Sequence, residues 1–242
     1  HFQDDQRTGC RQNTVTYFGI VDMRPRYFKF PDKSNYIYKG AWHLISIICD
    51  VFGRIELFGY ENVPKEPCII VCNHVSYLDP FAVGFFHETK LCAVARDTLM
   101  NGRISGPVFR GMNAIPIKRG QSGNLGAFRE ILAQVKDKKS VIIFPEGTRS
   151  ENGTLLKGKA GAGLLAIKAG IPILPMRSFG MCDVLPKSNK LSGGHRILLC
   201  AGKPIYPKEI DPGKNHPDRA QIIVDKIMEK IAEIRPPILD EI

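Results

Sequence analysis

His74 and Asp79 are the residues whose types and spacing most readily suit a reaction. An apolar run from Cys68 to Cys72 stops at Asn73, the histidine follows at once, and the carboxylate comes five residues after it. Apolar β-formers followed by a polar break predict a buried strand emptying into a loop. Asp79-Pro80 predicts a helix start, with Asp as N-cap and Pro at the first helical position. An imidazole on a strand exit and a carboxylate where the chain turns back can meet at a sheet edge. A neutral imidazole can take a hydroxyl proton at neutral pH. A carboxylate on its other ring nitrogen fixes the tautomer and stabilises the imidazolium. The competing reading is an ordinary loop histidine beside a simple helix cap.

Two further strands end in suggestive residues. The stretch 113–117 runs into Lys118-Arg119, and 141–144 runs into Pro145-Glu146-Gly147-Thr148-Arg149. If these strands and 68–72 are parallel, all three groups lie at one sheet edge, beyond the carboxyl ends of the strands, where open α/β sheets bind ligands. Lys118, Arg119 and Arg149 bring positive charge there, and arginine forks suit phosphate oxygens. Glu146 can orient an arginine or accept a substrate hydroxyl. Gly147 lets the backbone pass close to a ligand. The competing readings are a solvated basic surface and a plain strand-end turn. Lys157 and Lys159 lie in a Gly-rich connection, but no Gly-x4-Gly-Lys-Ser/Thr phosphate loop is present. No Gly-x-Ser-x-Gly elbow surrounds Ser76, and no cluster of His, Cys and carboxylates suggests a metal.

The elements that must position these residues can be read in order. The stretch 54–58 alternates and predicts an exposed strand; 68–72 is the first central strand, and 80–86 a helix. Strands follow at 91–95, 113–117 and 141–144. Residues 96–110 are helical but broken at Gly102, Gly106 and Pro107, and 124–136 is an amphipathic helix. Helix 160–169 ends at Gly170 as a C-cap. Strand 171–176 carries Pro172 and Pro175, which argue for an edge strand or a bulge. A strand at 196–201 and an amphipathic helix at 217–234 complete the chain. Alternation of this kind predicts an α/β fold with a mainly parallel central sheet flanked by helices.

The bulk properties bound the partners. The 242 residues carry a formal net charge of +10, which favours an anionic partner: phospholipid, nucleic acid or a phosphorylated substrate. Seven scattered cysteines include no Cys-x-x-Cys pair; most sit in apolar runs and are expected to be buried and reduced, hence cytosolic. The sequence starts at His1, and Met23 offers an internal start. Residues 1–39 are polar and slightly basic, and a weakly ordered extension is expected. In 41–52, His43, Ser46 and Asp50 form one narrow polar stripe on an otherwise apolar helix, too short to span a bilayer. A core helix and an interfacial helix with Trp42 near the headgroups both fit.

Asn73-His74-Val75-Ser76-Tyr77-Leu78-Asp79 resembles the Asn-His-x4-Asp box of glycerolipid acyltransferases. Ile115-Pro116-Ile117-Lys118-Arg119, Phe144-Pro145-Glu146-Gly147-Thr148-Arg149-Ser150 and Ile171-Pro172-Ile173-Leu174-Pro175 resemble the second, third and fourth blocks of the 1-acyl-glycerol-3-phosphate acyltransferases, in order and spacing. The resemblance implies acyl transfer from a thioester, acyl-CoA or acyl carrier protein, to the free hydroxyl of lysophosphatidic acid, giving phosphatidic acid. It implies His74 as base and Asp79 as its partner, with Asn73, Lys118, Arg119, Glu146, Gly147, Thr148 and Arg149 lining the substrate site. No cofactor, metal or nucleic acid is implied. It also implies an interfacial helical anchor, placed with its lead-in strand at 40–58, ahead of an acyltransferase domain at 59–242. Many members of the family have a longer apolar N-terminus, whereas 1–39 here are polar, so monotopic attachment to an anionic membrane surface on the cytoplasmic face is expected rather than a spanning helix. Rival readings are acylation of glycerol-3-phosphate, another lysophospholipid or a lipid A precursor, a hydrolase that activates water, and a non-catalytic lipid-binding protein.

Overall fold

The computed structural model describes residues 36, 39–40, 43–44, 47, 53–84, 91–103, 105–111, 113–117, 125–186 and 192–235. Seven strands form one sheet: β1 (Gly53–Phe58), β2 (Ile69–Cys72), β3 (Leu91–Arg96), β4 (Ile115–Ile117), β5 (Ser140–Ile143), β6 (Ile173–Phe179) and β7 (His195–Ala201). Their order is β1-β7-β6-β2-β5-β3-β4. The five strands from β6 to β4 run parallel; β7 is antiparallel to β6, and β1 is parallel to β7. The expected α/β class is therefore the observed one, with an antiparallel turn at one side.

Strand β2 shows why its sequence is apolar throughout. Ile70 and Cys72 join one buried cluster, with Ile142, Leu174 and Met176. Ile69 and Val71 join another, with Val141, Ile143 and Ile173. A strand covered on both faces needs no polar alternation. The first cluster is closed by Ala82 and Val83 of helix α1 (Asp79–Gly84). The second is closed by Ile131 of the helix Leu125–Lys136, by Leu165 and Ala166 of the helix Ala160–Ala169, and by Ile223, Ile227 and Ile231 of the helix Arg219–Glu233. The last two helices pack so closely that a Cβ on Gly163 would lie 1.9 Å from the Ala220 carbonyl oxygen. Gly170 caps the first of them in the left-handed conformation, at φ 63°.

Two expectations are corrected. The stretch 54–58 is not exposed: β1 is an edge strand, yet Glu56, Leu57 and Phe58 are buried, and Glu56 pairs with Arg196 of β7. Strand β6 is not an edge strand, because it lies between β7 and β2. Pro175 is tolerated there by position. Its carbonyl accepts from Gly202 N–H at 2.8 Å, on the β7 side, and ladder pairing with β7 starts only at Met176. The missing N–H points the same way as that carbonyl, away from β2, so the parallel ladder with β2 loses no rung.

Of 41–52, the described residues His43, Leu44 and Ile47 are helical and exposed, with Leu44 and Ile47 each 58 % exposed. Trp42, Lys118, Arg119 and nearly all of 1–39 lie outside the described residues. No helix among the described residues is long and apolar enough to cross a membrane.

Candidate active site

The loop leaving β2 places His74 beside Asp79, with Nδ1 2.8 Å from Asp79 Oδ2. The same Oδ2 accepts the backbone N–H groups of Val75, at 2.7 Å, and Ser76, at 2.8 Å. Asp79 is fully buried, while the His74 side chain is 19 % exposed. With Oδ2 already taking two amide protons, it meets the imidazole as an acceptor, which puts the ring proton on Nδ1 and the lone pair on Nε2. The His74 ring also stacks on Phe144, centroid to centroid 4.2 Å. Asp79 is not the N-cap. Helix α1 begins at Asp79, its first amides donate to the Leu78 carbonyl, and the carboxylate turns back over the loop it follows.

The loop after β5 is the seat of the histidine. His74 N–H donates to Glu146 Oε1 at 3.2 Å, and the His74 carbonyl accepts from Ser150 N–H at 2.7 Å. Both backbone groups of His74 are thus held by residues more than seventy positions away. Glu146 is 1 % exposed, and its Oε2 has no hydrogen-bond partner among the described residues. Burial raises its carboxyl to about 7, against the backbone N–H groups of His74 and Leu156 and with the help of Asp79's charge.

Gly147 turns this loop. Its N–H donates to the Phe144 carbonyl at 3.0 Å, and its φ of 64° is left-handed. A Cβ there would meet the stem and amine of Lys159 at 3.0–3.3 Å. Lys159 is tied to the same loop by its N–H to the Pro145 carbonyl, at 2.9 Å. Thr148 is half-buried. Arg149 lays its guanidinium over the Tyr77 ring, 3.5 Å from the centroid, and its Nη1 is buried with no hydrogen-bond partner among the described residues.

Asn73 faces elsewhere. Its Nδ2 donates to the Ser178 carbonyl at 3.1 Å, and its Oδ1 accepts from Ser178 N–H at 2.7 Å. Both polar ends of the amide are spent pinning the β2 exit to β6. The structure thus brings His74, Asp79, Glu146, Gly147, Thr148 and Arg149 to one sheet edge. Of the third group, Lys118 and Arg119 lie outside the described residues; the strand before them, β4, ends at Ile117 on the same edge, two strand positions from β5 or roughly 10 Å away. Sequence reasoning missed the parts played by Tyr77, Phe144, Ser150 and Ser178. An aromatic between buried neighbours was a signal for Tyr77; the Ser178 contact spans 105 positions and left no signal. Among the described residues no group of three or more His, Cys, Asp or Glu can hold a metal.

Known proteins resemble this chain in fold and in sequence. A solved 1-acyl-sn-glycerophosphate acyltransferase from Thermotoga maritima superposes with a TM-score of 0.64 at 24 % identity, over 83 % of this chain and 81 % of that one, which establishes likeness of fold. The chain is 27 % identical over 223 residues to a chloroplastic 1-acyl-sn-glycerol-3-phosphate acyltransferase of Brassica napus, covering 90 % of this chain and 60 % of that protein. It is 34 % identical over 169 residues to the 1-acyl-sn-glycerol-3-phosphate acyltransferase of Pseudomonas aeruginosa, covering 67 % of this chain and 63 % of that protein. The chain therefore spans under two thirds of the length of either relative. The family model described as Acyltransferase matches residues 54–178, about half of the chain, from β1 through the His74 and Glu146 loops to β6. By that match, the chain belongs to the acyltransferase family.

Proposed function

We propose that this protein transfers a fatty acyl group from an acyl thioester, acyl-CoA or acyl-acyl carrier protein, to the free hydroxyl of 1-acyl-glycerol-3-phosphate, giving phosphatidic acid. The observation that carries the reading is the 2.8 Å contact of His74 Nδ1 with a buried Asp79 oxygen, on a histidine whose side chain is itself partly exposed. Two relatives named for this activity supply the acceptor. Nε2 removes the proton from the acceptor hydroxyl as its oxygen attacks the thioester carbonyl. The tetrahedral intermediate collapses with loss of the thiolate, and the imidazolium returns the proton to the leaving sulfur. Asp79 holds Nδ1–H throughout and stabilises the transient positive ring. General-base help of this kind is worth about 10²–10⁴-fold. No covalent acyl-enzyme is needed.

Arg149, with Lys118 and Arg119 after β4, binds the acceptor phosphate. Gly147 and Thr148 shape the floor of that site. Glu146 and Asn73 act through the backbone: one holds His74, the other fixes the strand exit that carries it. The exposed apolar Leu44 and Ile47, one helical turn apart, support a helix lying flat in an anionic membrane surface, as does the +10 charge. The acceptor then enters laterally from the cytoplasmic face. The direct test is incubation of the purified protein with acyl-CoA or acyl carrier protein thioesters and a panel of lysophosphatidate, glycerol-3-phosphate and lysophosphatidylcholine. Phosphatidate formed by the wild-type protein and not by a folded His74→Ala variant is the expected result. Thioester consumed at the same rate without acceptor means a hydrolase, and preference for another acceptor overturns the substrate assignment.

A further inference from the structure

Four residues separate His74 from Asp79, and three of them have an evident structural use. Val75 and Leu78 are buried in the core cluster beneath α1. Ser76 is fully buried; its hydroxyl donates to the Leu185 carbonyl at 2.8 Å and accepts from Leu78 N–H at 3.2 Å. Tyr77 is the exception: it is 44 % exposed, so the core does not account for its aromatic ring. The side chain it does meet is Arg149, whose guanidinium carbon lies 3.5 Å from the ring centroid. Stacking of this kind fixes the plane of a guanidinium without consuming its N–H donors. The unpartnered Nη1 is consistent with that: the fork is held, yet a donor stays uncommitted.

We propose that Tyr77 is a positioning residue for the acceptor, a platform that holds the Arg149 fork in the plane where it meets the phosphate of the lipid. This rests on the reading above, in which Arg149 binds that phosphate. Without the ring, Arg149 keeps its charge but samples many rotamers, and the cost of ordering it falls on acceptor binding. The platform joins the two loops of the site a third time, alongside the Glu146 and Ser150 bonds to His74. Because Tyr77 touches Arg149 through its ring, the hydroxyl is dispensable and the aromatic face is not.

The experiment is a steady-state comparison of wild type, Tyr77→Phe, Tyr77→Leu, Arg149→Ala and the Tyr77→Leu, Arg149→Ala double variant, with acyl-CoA and lysophosphatidate each varied. Tyr77→Leu is expected to raise the lysophosphatidate KM about five- to tenfold, with kcat and the acyl-CoA KM within about twofold of wild type. Tyr77→Phe is expected to match wild type, which a lost hydroxyl bond would not allow. The double variant is expected to be no worse than Arg149→Ala alone, since the ring acts only through the arginine. If Arg149→Ala leaves the lysophosphatidate KM unchanged, the phosphate assignment itself fails. If Arg149→Ala raises it and Tyr77→Leu does not, or if Tyr77→Leu lowers kcat instead, the platform is overturned and the phosphate assignment stands. A Tyr77→Leu protein that does not fold is replaced by Tyr77→His, whose smaller ring should give an intermediate KM; a wild-type KM overturns the proposal equally.

Discussion

Replacing Asp79 by Asn tests the catalytic pair with the least change of shape. Oδ2 of Asp79 accepts three hydrogen bonds, from His74 Nδ1 and the amides of Val75 and Ser76. Oδ1 is buried with no partner among the described residues. The amide of Asn has one tolerable orientation, with its oxygen toward the three donors, since the flipped amide would set NH2 against all of them. That orientation leaves the NH2 in the unpartnered position, and a buried unmade hydrogen bond costs about 1–3 kcal/mol of stability.

The larger effect is on the transition state, where the imidazole gains a proton. At roughly 4 Å between charge centres and an effective dielectric constant near 20, the carboxylate stabilises the imidazolium by about 4 kcal/mol. At about 1.4 kcal/mol per decade, that is up to about a thousandfold in kcat. The expectation for Asp79→Asn is thus a folded protein whose kcat falls about 10²- to 10³-fold while both KM values stay within a few-fold. The assay is release of free thiol from acyl-CoA in the presence of lysophosphatidate, with Tm measured alongside. A variant that keeps its fold and more than a tenth of wild-type kcat would refute the pair as the source of catalysis.

Arg149→Ala should raise the acceptor KM about ten- to a hundredfold, the equivalent of about 1.5–3 kcal/mol for a charge-assisted contact, and leave the donor KM alone; the reverse pattern in initial-rate kinetics reverses the roles. Glu146 should make stability depend on pH: the folded protein keeps this proton up to about pH 7, whereas the unfolded chain releases it near its ordinary 4.5. Between those values the native state binds more protons, so stability falls as pH rises, by on the order of 3 kcal/mol in total. Denaturant unfolding of Glu146→Gln at pH 5 and pH 8 should lack that fall, and an unchanged pH slope would count against the buried acid. Gly147→Ala must hold an L residue at φ 64° and push the Lys159 stem aside, so a loss of about 1–2 kcal/mol, or about 2–8 °C in Tm, is expected by calorimetry; an unchanged Tm contradicts it. Trp42 is the single tryptophan, so a blue shift of its fluorescence with anionic vesicles reports the stretch 41–52, and an unshifted spectrum in vesicles that co-float with the protein places the anchor elsewhere.

What the sequence made legible were features set by local chemistry. Two-sided burial leaves β2 without a polar residue, so it reads as a core strand. Gly170 stops its helix at the expected place because left-handed closure suits glycine. The pairing of His74 with Asp79 was readable because the partners are only five positions apart, across one short loop. The misreadings share a cause in distant partners. Pro175 looked like an edge residue, and only the point at which β7 begins to pair shows why a central strand tolerates it. Glu56 made β1 look exposed, and its charge is met by Arg196, 140 positions away. The seat of Glu146 was not legible either, because nothing nearby in sequence explains a buried carboxylate. Its partner is the backbone of His74, which no side-chain pattern encodes.

The order of strands explains why these loops meet at all. Strands β2 and β5 are adjacent and parallel, in a register that pairs Val71 with Ile143, so both chains leave the sheet at the same height. From β2 the chain moves one way, past β5, to β3; from β5 it moves the other way, past β2, to β6. Crossovers of one hand that run in opposite directions must cover opposite faces of a sheet. They do: α1, which follows β2, packs into one core cluster, and the helix Ala160–Ala169, which follows β5, packs into the other. The two connections diverge from a common point and leave a crevice between the strand ends. His74 follows the end of β2 and Glu146 the end of β5, one on each side of that divergence. The histidine needs a rigid support to hold one tautomer against a buried carboxylate, and the loop after β5 is the nearest backbone able to give it. On the proposed function, the third sequence block is therefore as much the foundation of the base as the floor of the acceptor site.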